Sequence, residues 1–453
     1  LGKIYFLKGE SDKDLDIYEE VINISTNKGE YKHIVTANIG IGEIFLKRNL
    51  IDKALKKVTK AIKFSDEINY SNGIIRSRIL YNKILLNTGR FNECKKDIVD
   101  IWNFIKENKL YDHLGDIYNI MGLLEYFNGN IKEAIKKYNK SIECFHELGE
   151  FINSTKPINN IANIYSQYGE YEKAMEYYEK GLNIVEKYDI MNLKLVFLNN
   201  LGEVYLDLCD YGNAKKHIEE ARAIGIEAKD TNLIFLTNIN LGFIYLLTGD
   251  YEHSYNCYMM LKESYTQNPN LSFEVIGQYY NFLGEFYYTF GKWDEALKYS
   301  DEAINLCKGY NNTEYLMSKT RSVLVNYMKY GAYDRKSMED IRNEFRNINL
   351  KFHRRNNLLK LGIVALLAGD YKYVVDILKE DKKLKDAYSS PGLEYLRKIL
   401  VYSITKAEGS HIDMIKVQED MEKNNLLYLD IVVNALIGNR FAEEGKYYQA
   451  INY

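Results

Sequence analysis

The sequence predicts an all-α protein, a solenoid of stacked helical hairpins. Three observations carry that reading. A Gly followed by an x-aromatic-x-x-small pattern returns at Gly9, Gly89, Gly129, Gly169, Gly249, Gly291, Gly331, Gly369, Gly409 and Gly445, with Asn49 and Cys209 in the two gaps. The steps are 40, 40, 40, 40, 40, 40, 42, 40, 38, 40 and 36 residues, and such self-similarity marks a repeat array. Apolar residues between the repeats recur at i, i+3, i+4 and i+7, the period of a helix with one buried face. Proline is nearly absent, at 3 of 453 residues, so little in the chain breaks a helix.

Each column of the repeat has a mechanical role. The Gly lies just past a helix, where the chain reverses through left-handed backbone; Asn is the usual second choice, as at Asn49. The next residue is often acidic or Asn (Asp210, Asp250, Asp370, Asn130, Glu170), suited to cap the following helix. Seven residues before the Gly stands a small residue, as at Gly42, Gly122, Ala162, Gly202, Gly242, Gly284 and Gly362. Five after it stands another, as at Ala54, Cys94, Ala134, Ala174, Ala214, Ser254 and Ala296. Two small columns on opposed helices let an antiparallel pair approach closely. An aromatic four residues before the Gly (Phe45, Tyr165, Tyr205, Tyr245, Tyr287, Tyr327) fills the space beside that contact.

The segments LGEVYLDLCDYGNA, LGFIYLLTGDYEHS and LGEFYYTFGKWDEA resemble the core of the tetratricopeptide repeat (TPR) family. The resemblance spans nearly the whole chain and implies eleven to twelve hairpins wound as a right-handed superhelix. The 40-residue unit exceeds the common 34, and the closing proline is missing; Pro157, Pro269 and Pro391 sit where repeats begin. Longer units of this kind are similar to those of kinesin light chains, bacterial peptide-pheromone receptors and the sensor arms of large signalling ATPases.

Three stretches are expected. Residues 1–309 hold regular repeats. Residues 310–430 hold degenerate ones, with Lys336, Val374 and Met414 where a small residue is expected, as drift within the array or as a hinge or contact zone. Residues 431–453 begin a further repeat. The sequence enters mid-helix at Leu1-Gly2 and leaves inside a helix at Tyr453, so it is read as part of a longer polypeptide.

Enzyme signatures are missing. Gly40 and Gly42 have no third Gly and follow no strand, so they form no dinucleotide loop. There is no P-loop, HExxH, GxSxG or kinase set. Five dispersed cysteines with no CxxC read as reduced structural thiols, and Cys144 beside His146 is two ligands too few for a metal site. No cofactor is expected. A net charge of −3 gives no case for nucleic acid or an anionic membrane, and no apolar run approaches a membrane span. The densest basic run, Arg342, Arg346, Lys351, Arg354, Arg355 and Lys360, reads as a solvated face, with phosphate or nucleic-acid binding as the sharper alternative. A cytoplasmic setting follows.

One feature exceeds scaffolding. Asn119, Asn159 and Asn199 are one unit apart on the first helix of successive hairpins, and Asn281 rejoins them after the longer step. Asn160, Asn200 and Asn240 form a second column beside them. Asn in a helix interior costs about 0.5 kcal/mol against Ala, so its repeated use needs a reason. In the TPR family the first helix lines the concave wall, and a carboxamide matches both the N–H and the C=O of an extended peptide. The expected groove residues are Asn119, Asn159, Asn199 and Asn281 with Tyr126, Glu203, Phe243 and Tyr288, a lining suited to apolar anchors and a basic residue. The alternative for one Asn column is a bond to the neighbouring repeat; adjacent residues point about 100° apart, so both columns cannot face a ligand equally.

The functional expectation is a non-enzymatic protein- or peptide-binding array, the sensor or interaction arm of a larger cytosolic signalling protein. Two alternatives stay open. One is the regulatory region of a kinase, STAND ATPase or nucleotide cyclase whose catalytic part lies elsewhere. The other is a peptide-pheromone-type transcriptional regulator without its DNA-binding domain.

Overall fold

The computed structural model describes residues 11–404 apart from 229, 268–270, 272, 309–311, 347–350 and 385–390, together with the single positions 419, 434, 438 and 445. Among these residues it holds twenty α-helices and no strand. The first seven are α1 (Ser11–Lys28), α2 (Tyr31–Lys47), α3 (Ile51–Glu67), α4 (Ser71–Asn87), α5 (Phe91–Asn108), α6 (Leu114–Phe127) and α7 (Ile131–Glu147). Then come α8 (Phe151–Gln167), α9 (Tyr171–Lys187), α10 (Met191–Asp207), α11 (Tyr211–Glu227), α12 (Thr231–Leu247), α13 (Tyr251–Gln267) and α14 (Phe273–Thr289). The rest are α15 (Trp293–Cys307), α16 (Asn312–Tyr330), α17 (Arg335–Arg346), α18 (Lys351–Leu367), α19 (Tyr371–Lys383) and α20 (Pro391–Ile404). Even-numbered helices are the first of each hairpin, here called A helices; odd-numbered ones are B helices. The Met414 position and, apart from 434, 438 and 445, the expected repeat start within 431–453 lie outside the described residues.

The turns are more regular than the sequence suggests. Left-handed backbone recurs every twenty residues, at Gly29, Asn49, Asn69, Gly89, Lys109, Gly129, Gly149, Gly169, Asp189, Cys209 and, two steps on, Gly249. The Gly column is therefore one of two. The second, between a B helix and the next A helix, is hidden because its occupants vary in type. Both turns close alike. At the end of α10, the Asp210 N–H donates to the Tyr205 carbonyl at 2.9 Å and the Cys209 N–H to that of Leu206 at 3.0 Å. These bonds satisfy carbonyls that a helix end would otherwise orphan. The caps after the turn divide by residue type. Asp210, Asp250 and Asp370 accept the backbone N–H three residues on, at 3.1, 3.3 and 3.0 Å. Asn130 makes no such cap and donates instead to Glu125 at 2.8 Å.

The two small columns do meet. A Cβ on Gly202 would lie 2.3 Å from Ile218 Cγ1 and 3.3 Å from the Ala214 carbonyl oxygen. One on Gly122 would lie 2.5 Å from the Tyr138 ring, and one on Gly42 2.9 Å from Val58. Facing them, Ala54, Ala134, Ala174 and Ala214 are fully buried. Each hairpin thus closes at interior packing density, where one added methyl is felt.

The chain divides into two compact units. Among the described residues, the first holds those up to Tyr165 with Glu172–Asn200 and Glu220–Leu233; the second holds Ser166–Tyr171, Leu201–Glu219 and those from Ile234 onward. In the first, A helices pack on the next A helix as well as on B helices, α2 on α4 and α4 on α6. In the second, α14 packs on α16, α16 on α18 and α18 on α20. A continuous row of A helices results within each stack.

The irregular stretch has a local cause. After Gly331 the turn runs longer, and Asp334 accepts from the Lys336 and Ser337 N–H groups at 3.0 and 3.2 Å to start α17 late. Met338, not Lys336, is the fourth residue of that helix and the one buried in the hairpin. Val374 keeps the expected place in α19 and is fully buried.

Candidate functional site: the polar rows of the A helices

In the first unit the two asparagine columns bond to each other. Asn160 Nδ2 donates to Asn119 Oδ1 at 3.1 Å, and Asn200 Nδ2 donates to Asn159 Oδ1 at 2.9 Å. Each bond joins a residue to one 41 positions away, on the next A helix. Asn163, one turn beyond Asn159, accepts from the Tyr178 hydroxyl at 2.6 Å and ties the row to its B helix. Asn119 and Asn199 are buried, at 6% and 1% exposure, whereas Asn159, Asn160, Asn163 and Asn200 stay partly exposed.

The second unit continues the theme with charge. Asn240 donates to Glu203 at 2.9 Å, again between successive A helices. Asn281 is fully buried in α14. Its Oδ1 accepts from Ser318 at 2.6 Å and Arg321 at 3.0 Å, and its Nδ2 donates to Glu314. Arg321 Nε then reaches Glu285 at 2.8 Å. Burial pushes the Glu285 carboxyl up, but the charges of Arg321 and Lys360 prevail and hold it below its ordinary value. Burial likewise lowers the Lys360 ammonium, against the pull of Glu285.

Asp207, on the last turn of α10, accepts from the Tyr171 hydroxyl at 3.0 Å. Burial raises its carboxyl to about 7; the Tyr171 bond opposes this, and the negative charges of Glu203 and Glu314 add to it. Three carboxylates from two A helices therefore act on one region.

The sequence-predicted residues thus take different stations. The column Asn119, Asn159, Asn199 and Asn281 was expected to present itself to a ligand. Three of the four are buried, and for Asn119, Asn159 and Asn281 the partners are side chains of the next A helix, because successive A helices lie one carboxamide apart. Asn159, Tyr126, Glu203 and Phe243 keep partly exposed side chains. The Phe243 ring meets Phe282 edge-on at 5.4 Å. Tyr288 is buried beside Trp293 at 5.7 Å, and burial raises its hydroxyl above the usual range. Sequence reasoning missed Asp207, Asn163 and Arg321. Asn163 had a signal: Asn163, Glu203 and Phe243 stand one unit apart, one helical turn after the first asparagine column.

The arginines of the basic run do not form a solvated face. Arg355 is buried and its Nε donates to Asp381 at 2.6 Å, while Arg342, Arg346 and Arg354 converge on Glu380. Cys144 and His146 form no cluster with a third ligand: among the described residues no three His, Cys, Asp or Glu side chains could hold a metal. Nor is any described helix long and apolar enough to cross a membrane.

Tetratricopeptide repeat models match residues 114–187 and residues 277–309. No curated protein matches the chain. Among solved structures, a Rap protein complexed with Competence and Sporulation Factor aligns with a TM-score of 0.59 at 13% identity, over 78% of this chain and 97% of its own. The apo form of RapI aligns at 0.53 and 14%, over 77% and 98%. Aspartyl phosphate phosphatase F from Bacillus subtilis aligns at 0.51 and 12%, over 78% and 94%. At such identities the likeness is one of fold.

Proposed function

We propose that this chain, a member of the tetratricopeptide repeat family, is a non-enzymatic scaffold whose rows of A helices hold an extended peptide or partner segment. The observation that carries the reading is the carboxylate group of the second unit. Burial raises the Asp207 carboxyl to about 7, and the charges of Glu203 and Glu314 add to that rise. A cation brought beside Asp207 would favour its charged form. A Lys or Arg side chain, or an N-terminal amine, supplies the cation. The partly exposed Phe243 on the neighbouring A helix offers an apolar anchor.

In the first unit, the edges of Asn159, Asn160 and Asn200, with Tyr126, offer donors and acceptors at a regular spacing. That suits main-chain recognition, which leaves sequence choice to other contacts. The buried Asn119, Asn199, Asn281 and Tyr288 then position their neighbours. A protein of this fold solved together with a factor, Competence and Sporulation Factor, supports a ligand-holding role for such arrays. The sensor or interaction arm of a larger cytosolic signalling protein is the setting we infer.

The test is a peptide-library screen on the full chain, followed by calorimetric titration of the best binders. Binders should be enriched in Lys or Arg, and Glu203→Gln should weaken them about fivefold to tenfold, the scale of one charge-assisted contact. A library enriched in acidic peptides, or unchanged affinity in Glu203→Gln, refutes the assignment.

A further inference from the structure

The basic run singled out in the sequence ends on a cavity that the peptide-binding reading leaves unused. The cavity has a volume of about 370 Å³ and lies among α17, α18 and α19. Its walls carry Arg342, Arg346, Arg354, Lys379 and Lys383, against the carboxylates Asp376 and Glu380. Five cations thus face two anions.

Glu380 is already saturated. Its two oxygens accept from Arg342 Nε at 2.8 Å, Arg346 Nη2 at 2.8 Å and Nε at 3.4 Å, and Arg354 Nη2 at 2.6 Å. A carboxylate offers about four lone-pair sites, and all are taken. Burial would raise Glu380, yet the three guanidiniums hold it at about 2, so it stays anionic at any working pH. Further donors must look elsewhere. Arg354 Nε is buried and meets no acceptor among the described residues. A buried guanidinium N–H left in that state is costly, and the other donors of this group face the cavity's rim of positive charge.

The adjacent arginine shows the contrast with a purely structural network. Arg355 divides between Asp381 at 2.6 Å and Glu394 at 3.1 Å, and Arg397 adds to Asp381 at 3.2 Å. There two cations meet two carboxylates. In the Glu380 cluster three guanidiniums meet Glu380 and, through Arg342 Nη1 at 3.1 Å, Glu339, and the cavity opens beside them.

We propose that this cavity is a binding site for a phosphate monoester dianion. The excess positive charge exceeds what one carboxylate would neutralise, and forked guanidinium donors from two helices with lysines from a third match the several oxygens of a phosphoryl group. The volume falls in the range of small-ligand sites, so an organic body accompanies the phosphate.

The test is calorimetric titration of the full chain with inorganic phosphate, O-phosphoserine, a nucleoside 5′-monophosphate and, as the carboxylate control, glutamate. At least one phosphate-bearing probe should bind, more weakly as salt rises. The Lys379→Gln/Lys383→Gln variant alters only exposed rim side chains and should keep the helical circular dichroism of the parent. It should weaken that binding about tenfold, and Arg346→Gln should do likewise. Lys262→Gln on α13 should leave it unchanged. Inorganic phosphate binding as tightly as the esters also supports the site and makes the free ion its ligand. No binding by any phosphate probe, glutamate binding as tightly as O-phosphoserine, or unchanged affinity in the rim variant overturns the proposal.

Discussion

Replacing Asp207 by Asn tests the electrostatics of the A-helix wall without touching its packing. The carboxyl rises from its ordinary 3.8 to about 7, a difference of roughly 3 units. At about 1.4 kcal/mol per unit, ionising it in the folded chain costs up to about 4 kcal/mol more than in the unfolded chain. The side chain keeps partial contact with solvent, and screening brings the expected effect nearer 2 kcal/mol. Its sign is fixed by linkage. Below pH 4 both states hold the proton and the group is neutral to stability. Between pH 4 and 7 the unfolded chain has released the proton while the folded chain keeps it, so stability falls as pH rises, then levels off. Asn cannot ionise, and its Oδ1 still accepts from Tyr171. Urea unfolding of wild type and Asp207→Asn at pH 4, 5.5, 7 and 8 reads this directly. The two should coincide near pH 4, with the variant more stable by about 2 kcal/mol at pH 8. A difference independent of pH, or one that grows toward acid, refutes the reasoning and removes the carboxylate group from the functional argument.

Two further outcomes concern the fold. Gly202→Ala places a methyl against Ile218 and the Ala214 carbonyl. Overpacking of about 1–3 kcal/mol should outweigh the helix-propensity gain of about 1 kcal/mol. Ile218→Ala alone loses buried volume, yet the double variant should be more stable than the sum predicts by about 1 kcal/mol, measured by a chemical-denaturation cycle; simple additivity would remove the close hairpin contact from the account. Cys209→Gly should stabilise by about 0.5–1 kcal/mol, because φ is +58° there and a side chain is strained; an unchanged or lowered melting temperature counts against it.

Much of the fold was legible because one residue type dominates each decisive column. Glycine at the A-to-B turn and alanine or glycine at the hairpin contact announce themselves wherever geometry permits nothing larger. The B-to-A turn was not legible, since Gly29, Asn69, Lys109, Gly149 and Asp189 share a conformation and no chemistry. The site was half legible. Regular asparagines showed that something repeats along the A helices, but their direction depends on a partner 41 residues away, which no local pattern reveals. Arg342 and Arg354 read as a surface run for the same reason, as their acceptor Glu380 lies 38 and 26 residues on. Lys336 failed as a core position through two extra residues in one turn.

The equal turns carry an evolutionary corollary. Since the turns after α1 to α10 share one left-handed conformation, only side chains tell A from B helices there. Excising forty residues between matching bends leaves every later helix in phase with its predecessors. Excising twenty would cast each carboxamide-bearing helix into the role of its partner, so growth and loss in such a lineage proceed by whole pairs.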